Sequence, residues 1–466
     1  MSERPNVVYL FADQLRATSL PIYGEEQIST PHLDRLAADG VIFDNMVSTC
    51  PVCTPYRSML VTGRHPQTTG HLVNFICTRH DEISIGDAFR HAGYRTGWIG
   101  KWHLHRGSFP QVEGQDYVPE GRDRLGFDYW RGYNFHSQYY QGWVNKGDWR
   151  NERWEGYETD ALNRYAFEFL DEPSDQPFLL FVSPHQPHFT TRGPFAPDEY
   201  YDRLPDELIV PENVPDEIRE QSVEMYRHYL AMTLALDDML GELYQHLEQN
   251  GQAENTIFVY SSDHGTQVGA QGIDPWQKMR PYDESLRVPM VARWPGHLDG
   301  GRRCDTLTAP VDLFPTLCTL CGVPIPRTVE GIDLSQSWLG EDGACEQDAV
   351  LTMNYTATYD WMLDGAEWRG LRTKRSIYTR WLSGLTELFD LETDPLQMFN
   401  LAGDPRANEI ETRLAARLDE LMAARNDTIE PCHTLASWFD HERRVVQNAY
   451  GPLSDPESTP DWSLLS

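Results

Sequence analysis

The order of apolar runs along the first two-thirds of the chain limits its fold more than any other feature. Short β-branched stretches alternate with amphipathic ones, the pattern of a mostly parallel sheet with helices on both faces. Strands are expected at Val7–Ala12, Arg95–Gly100, Pro177–Ser183, Thr256–Ser262 and Val288–Arg293. Helices are expected at Pro31–Asp39 (Thr30 as cap, Gly40 beyond the end), at Ile83–His91 before Gly93, and at Glu217–Asn250 closed by Gly251. From Ala349 the texture changes. The β-like segments Val350–Tyr355, Arg369–Thr373 and Ser376–Trp381 precede a helix at Asn408–Arg425. Two units are therefore expected: an α/β domain over 1–345 and a smaller α+β domain over 346–466, joined near Gly340–Gln347.

Composition removes whole classes of function. The 466 residues hold 71 acidic and 39 basic side chains, a formal charge of −32. A polyanion binder draws its affinity from clustered Lys and Arg, so no nucleic-acid partner is expected. With 40% apolar and 12% aromatic residues the chain can bury a large core and is not disordered. No apolar run approaches the ~20 residues that span a bilayer, so no membrane partner is expected. Met1 to Asn6 is short and polar, with none of the regions of a signal peptide, and the expectation is a cytoplasmic protein. Eight cysteines are too few for a disulfide scaffold. Cys50 with Cys53 and Cys318 with Cys321 form two C-x-x-C pairs, which raises zinc or a redox motif. The second pair lies in an apolar helical stretch, Leu313–Leu320, where buried thiols are ordinary.

Polar residues stand directly after four of the expected strands. Asp13 and Gln14 follow the first, Lys101 and His103 the second, His185 the third, and Asp263 and His264 the fourth. Ligands of an open parallel sheet bind outside the carboxyl ends of its strands. One such residue is usually a turn or a cap; four sets at one rim indicate an active site. Asp13, Gln14, Asp263 and His264 offer carboxylate and amide oxygens plus one imidazole nitrogen. That set suits one divalent cation, Ca²⁺, Mg²⁺ or Mn²⁺, better than zinc. Arg57, Lys101, His103, His185 and Lys278 around it describe a pocket for a tetrahedral oxyanion. Between Phe127 and Tyr157 lie eleven aromatic residues without a clear period. They read either as a long loop packing its own rings or as a wall for a sugar face.

The segment Cys53-Thr54-Pro55-Tyr56-Arg57, followed by an apolar stretch ending Thr62-Gly63-Arg64, resembles the C-x-P-x-R…T-G-R pattern of the formylglycine-dependent sulfatases of the alkaline-phosphatase superfamily. The resemblance runs through Asn6–Gln14, Thr30–Gly40, Gly100–Leu104, Pro184–Pro187, Ser262–Gly265, Lys278–Trp294 and, in the tail, Leu388–Asn400. It implies an alkaline-phosphatase-like α/β fold and hydrolysis of a sulfate ester. It also implies that a formylglycine-generating enzyme converts Cys53 to an aldehyde whose hydrate is the nucleophile. Position 53 then joins Asp13, Gln14, Asp263 and His264 around the cation, with Asp263 also taking the nucleophile's proton. Arg57 holds the hydrate, and Lys101 and Lys278 bind sulfate oxygens. His185 with Lys278 protonates the leaving alcohol, and His103 takes the proton that releases sulfate. Conversion of Cys53 also accounts for the first C-x-x-C pair.

Some positions depart from the family pattern. Gln14 and His264 stand where many members have Asp and Asn, a pairing similar to that of phosphonate monoester hydrolases and choline sulfatases. Tyr56 replaces a small residue and is expected to narrow the pocket. Gln271 stands where a His often closes the Ser262–Gly265 stretch. His65, His71, His80 and His188 are read as surface or packing residues. The leading expectation is a sulfatase acting on a sulfated small molecule or oligosaccharide, the aromatic insertion favouring carbohydrate. The alternatives are a phosphonate monoester or phosphodiester hydrolase with the same nucleophile, and a binding protein that keeps the fold without the chemistry.

Overall fold

The computed structural model describes residues 4–107, 117–190 and 194–465; Met1–Glu3, part of the polar leader, lie outside the described residues. Its centre is a ten-stranded sheet. In chain order the strands are β1 (Asn6–Ala12), β2 (Val41–Phe43), β3 (Arg95–Lys101), β4 (Tyr129–Tyr133), β5 (Trp143–Asn145), β6 (Asn151–Arg153), β7 (Phe178–Ser183), β8 (Thr256–Ser262), β9 (Met290–Arg293) and β10 (Arg302–Cys304). They lie side by side as β10-β2-β9-β8-β1-β7-β3-β4-β5-β6. The middle five, β8-β1-β7-β3-β4, are mutually parallel, while β9 and β5 run against their neighbours. Residues alternate between the two faces, as the two-residue period of a strand requires. Val8, Leu10 and Ala12 enter one core with the long helix Asp216–Gln249; Val7, Tyr9 and Phe11 enter the other with the helices Cys53–Thr62 and Pro310–Cys321.

The register fixes the site. Ala12 pairs with Ser262, so Asp13 and Asp263 leave β1 and β8 side by side, and the Asp263 N–H donates to the Ala12 carbonyl at 3.1 Å. Gly100 pairs with Ser183, which brings Lys101 and His185 to the same rim.

Two sequence expectations need correction, and the tail gains one strand. Thr30 precedes the helix Pro31–Ala38 without capping it. The Asp237 carboxylate, reaching over from the long helix, instead accepts from the His32 and Leu33 N–H groups at 3.2 and 2.8 Å. The aromatic insertion is neither one long loop nor chiefly a wall, since it supplies β4, β5 and β6 at the sheet edge. Seven of its eleven rings are buried (Phe127, Trp130, Tyr133, Tyr139, Trp143, Trp154 and Tyr157). In the tail a fourth strand, β14 (Thr386–Asp390), joins β11 (Val350–Asn354), β12 (Trp368–Arg372) and β13 (Ser376–Trp381) in an antiparallel sheet. Leu414, Leu418, Leu421 and Met422 of the helix Asn408–Ala423 pack into the core of that sheet, which is continuous with Val47, Met59 and Leu72 of the larger unit. The eight cysteines are free, and Cys318 and Cys321 are buried in a helix. Among the described residues no helix is long and apolar enough to cross a membrane.

Candidate active site

Cys53 is the first residue of the helix Cys53–Thr62, where unpaired N–H groups and the helix dipole favour negative charge. Asn74 Oδ1 accepts from the Thr54 N–H at 3.0 Å, and the Thr54 hydroxyl donates to the His103 carbonyl at 2.6 Å, so the helix start is held from two sides. The Cys53 side chain is fully enclosed. Its Sγ lies 3.2 Å from His264 Nε2, 3.3 Å from Lys278 Nζ, 3.6 Å from Lys101 Nζ and 3.8 Å from Asp13 Oδ1.

Asp13 Oδ2 accepts from Lys101 Nζ at 2.5 Å and from Arg57 Nη2 at 3.0 Å. Asp263 Oδ2 takes the same guanidinium nitrogen at 3.2 Å, while its Oδ1 accepts the Gln14 and His264 N–H groups at 3.0 and 2.8 Å. Gln14 holds a left-handed φ of 72°. Its amide nitrogen donates to Thr266 Oγ1 and the Trp276 carbonyl, which turns Oε1 toward Lys278 Nζ at 3.2 Å. Lys101 Nζ and His185 Nε2 are 3.1 Å apart. The His103 ring stacks on Phe135 at 4.6 Å, and both its nitrogens lack a partner among the described residues. All ten predicted site residues thus meet at one rim and are buried.

A model of the sulfatase family matches residues 5–323, and a model of the C-terminal part of N-sulphoglucosamine sulphohydrolase matches 274–424. An ulvan-active sulfatase of Formosa agariphila is 36% identical, covering 91% of this chain and 82% of its own. The chain belongs to the sulfatase family. An endo-4-O-sulfatase of Bacteroides thetaiotaomicron is 27% identical, covering 88% of this chain and 90% of its own. A solved structure from Bacteroides thetaiotaomicron, from work on the metabolism of multiple glycosaminoglycans, is similar with a TM-score of 0.83 at 24% identity. It covers 91% of this chain and 97% of that chain and speaks for the fold.

Membership implies a metal ion and a formylglycine, and the residues present fit both. Ligand atoms of Asp13, Cys53, Asp263 and His264 all lie within 4.8 Å of one another. His264 Nδ1 sits 3.0 Å from the Gly265 carbonyl, so the proton belongs on Nδ1 and the Nε2 lone pair faces the cluster, as a metal-ligating imidazole requires. Burial pushes the Cys53 thiol up, as does Asp13, so the unconverted residue is a poor thiolate nucleophile here. Burial also raises the Asp13 carboxyl, but Lys101, His188 and Arg57 outweigh it and hold that group well below the usual carboxylate range. Burial, helped by the nearby lysines, keeps His103, His185 and His264 neutral.

The structure alters four smaller expectations. Arg57 bonds the two carboxylates, the Lys101 carbonyl and Ser183 Oγ; only its Nε is left without a partner among the described residues. Tyr56 does not narrow the pocket, because its ring packs into the core, with its hydroxyl 3.5 Å from that of Tyr9. Gln271 turns to the tail and donates to the Leu396 carbonyl. His188 is half-buried and packs, as expected, but against the site rather than away from it. Its ring lies 4.7 Å from that of His185, and ligand atoms of Asp13, His185 and His188 form a second close group. The tail adds Tyr359, whose ring lies 5.3 Å from Lys278 Nζ and whose hydroxyl bonds Gln277 Oε1.

Proposed function

We propose that this sulfuric ester hydrolase removes sulfate from a carbohydrate, using Cys53 as formylglycine beside one divalent cation held by Asp13, Gln14, Asp263 and His264. Hard oxygen donors make up most of that set, which favours Ca²⁺, with Mg²⁺ and Mn²⁺ as substitutes. Bound there, the cation would supply Lewis-acid stabilisation of negative charge at the reacting sulfate, and residue 53, once a hydrated aldehyde, would supply the nucleophilic hydroxyl. The single observation that carries the reading is the enclosure of Cys53 Sγ by His264, Lys278, Lys101 and Asp13, all within 3.8 Å.

The remaining work falls to side chains of the chain. Lys101 and Lys278 neutralise sulfate oxygens in a site closed to bulk water, where each charge acts at short range. Arg57 orients Asp13 and Asp263 through one nitrogen shared between them and leaves Nε for residue 53. Asp263, kept basic enough by burial and by the Asp13 charge, accepts the proton of the attacking hydroxyl. The charged ammonium of Lys278, 3.3 Å from Cys53 Sγ, supplies the proton to the leaving sugar oxygen, and neutral His185, 3.1 Å from Lys101, helps to position that oxygen. His103, neutral and stacked on Phe135, accepts the proton that frees sulfate. The substrate class rests on the relatives, which are named for ulvan and for endo-4-O sulfate groups.

The phosphodiester alternative has one supporting feature, the Gln14/His264 pair, against a family and relatives named for sulfate esters. Rates on 4-nitrophenyl sulfate and bis(4-nitrophenyl) phosphate, measured side by side on enzyme matured by a formylglycine-generating enzyme, separate the two. Faster turnover of the sulfate is expected; faster turnover of the diester would sink the assignment.

A further inference from the structure

Outside the rim, the tail carries a surface that the chemistry above does not use. Tyr359 touches the site through Lys278, and its carbonyl accepts from the N–H of Asn74, the residue that holds the start of the nucleophile's helix. Two residues further on, Trp361 is 40% exposed. That step spans at most about 7 Å of chain, so the Trp361 backbone stays close to that of Tyr359. The Arg443 guanidinium carbon lies 4.7 Å over the Trp361 ring, and Nη1 donates to the Asp360 carbonyl at 3.0 Å. Arg443 adopts a left-handed φ of 58°, and its carbonyl accepts from the Cys77 N–H, which ties this turn to the body of the enzyme. Among the described residues Arg443 forms no ion pair, in a chain with 71 acidic side chains against 39 basic ones. Phe439 backs the indole at 6.3 Å.

These features are hard to explain as stability alone. A half-exposed Trp costs solvation, and a cation left unpaired amid excess acid forgoes an easy partner. A guanidinium stacked on an indole presents its free edge as a rigid fork suited to a carboxylate or sulfate. The indole beside it is a flat apolar face of the kind a sugar ring covers.

We infer that Trp361 and Arg443, with Tyr359 as the link to Lys278, form a binding platform for an anionic sugar adjoining the sulfated one. The neighbouring ring stacks on Trp361, and its carboxylate or sulfate pairs with Arg443. This platform rests on the carbohydrate reading of the site and extends it: the enzyme recognises a charged oligosaccharide rather than a lone sulfated monosaccharide. It also gives the tail a share in specificity.

The test is affinity electrophoresis of the full-length matured enzyme in gels containing ulvan, chondroitin sulfate or carrageenan, with 4-nitrophenyl sulfate kinetics on the same samples. Wild type is expected to be retarded by at least one polysaccharide. Trp361→Ala and Arg443→Gln are each expected to weaken that retardation about tenfold or more, Trp361→Phe much less, and Arg443→Gln also to flatten its salt dependence. The loss is expected to exceed any change in kcat/KM for the aryl sulfate, which a merely structural role would lower equally. If Trp361→Ala fails to fold, Arg443→Gln and Trp361→Phe decide. Retardation by none of the three polymers, variants retarded like wild type, or equal losses on polymer and aryl sulfate overturn the platform. A retarded wild type that turns over the diester in preference to the sulfate leaves the platform standing and sinks the sulfatase reading instead.

Discussion

Two buried guanidinium groups sit in this molecule in opposite circumstances. Arg369, in the tail sheet, meets one carboxylate in a two-pronged bond: Nε and Nη2 reach Asp427 at 2.7 and 3.0 Å. Its other donors take the carbonyls of Asn354, Trp368 and Thr428, and the Tyr355 ring lies 4.0 Å away. One cation meets one anion and every donor is used. Arg57, at the sheet rim, splits one nitrogen between Asp13 and Asp263 and leaves Nε without a partner among the described residues. Lys101 and Lys278 stand beside it, so three cations face two carboxylates. The first arrangement is complete in itself. The second has a surplus of positive charge and donors aimed inward, which a divalent cation increases and a sulfate ester relieves. The contrast separates groups that hold the fold from groups held by it.

Substitutions that break this contrast are ranked by expected size. Cys53→Ala should lower kcat for 4-nitrophenyl sulfate on the order of 10⁴-fold or more, with thermal stability unchanged, because the residue carries the nucleophile and little packing. Arg369→Ala should do the reverse. It strands Asp427 in the interior and costs about 3–5 kcal/mol in denaturant unfolding, while activity per folded molecule survives. Lys278→Ala should reduce kcat roughly 10²- to 10³-fold with only a small change in stability, since its ammonium meets no single structural carboxylate and serves the substrate's oxygens. A stability loss as large as that of Arg369→Ala would contradict this.

The smallest effect concerns Glu158, a buried carboxyl that accepts the Tyr133 hydroxyl and that burial pushes from 4.5 up to about 8. Its contribution is intact below pH 4.5, where both states hold the proton. It erodes as pH rises from there to about 8, because the unfolded chain ionises first. Glu158→Gln should therefore flatten the fall in melting temperature over that window. An unchanged pH profile would show that Glu158 is ionised in the folded enzyme.

The rim was legible in the sequence because parallel register does the assembly. Once Ala12 faces Ser262, the residues after each strand must meet, and Asp13, Lys101, His185 and Asp263 could be read from strand ends alone. Contributions from turns and from the tail were not legible. His188 reaches the site by a turn three residues past His185, Phe135 by the chain beyond β4, and Tyr359 from a loop more than 300 residues from Cys53 in sequence. No local period marks such residues. The same holds for the cap of Pro31–Ala38, where Thr30 satisfied the local rule and Asp237, from another helix, took the bonds.

The most direct test follows position 53 itself. Mass spectrometry of the proteolytic peptide containing Cys53, on batches matured to different extents, can be set against sulfate release from 4-nitrophenyl sulfate in each batch. The account predicts activity proportional to the fraction of aldehyde and none in fully thiol material. Full turnover by enzyme whose Cys53 is an intact thiol would contradict it.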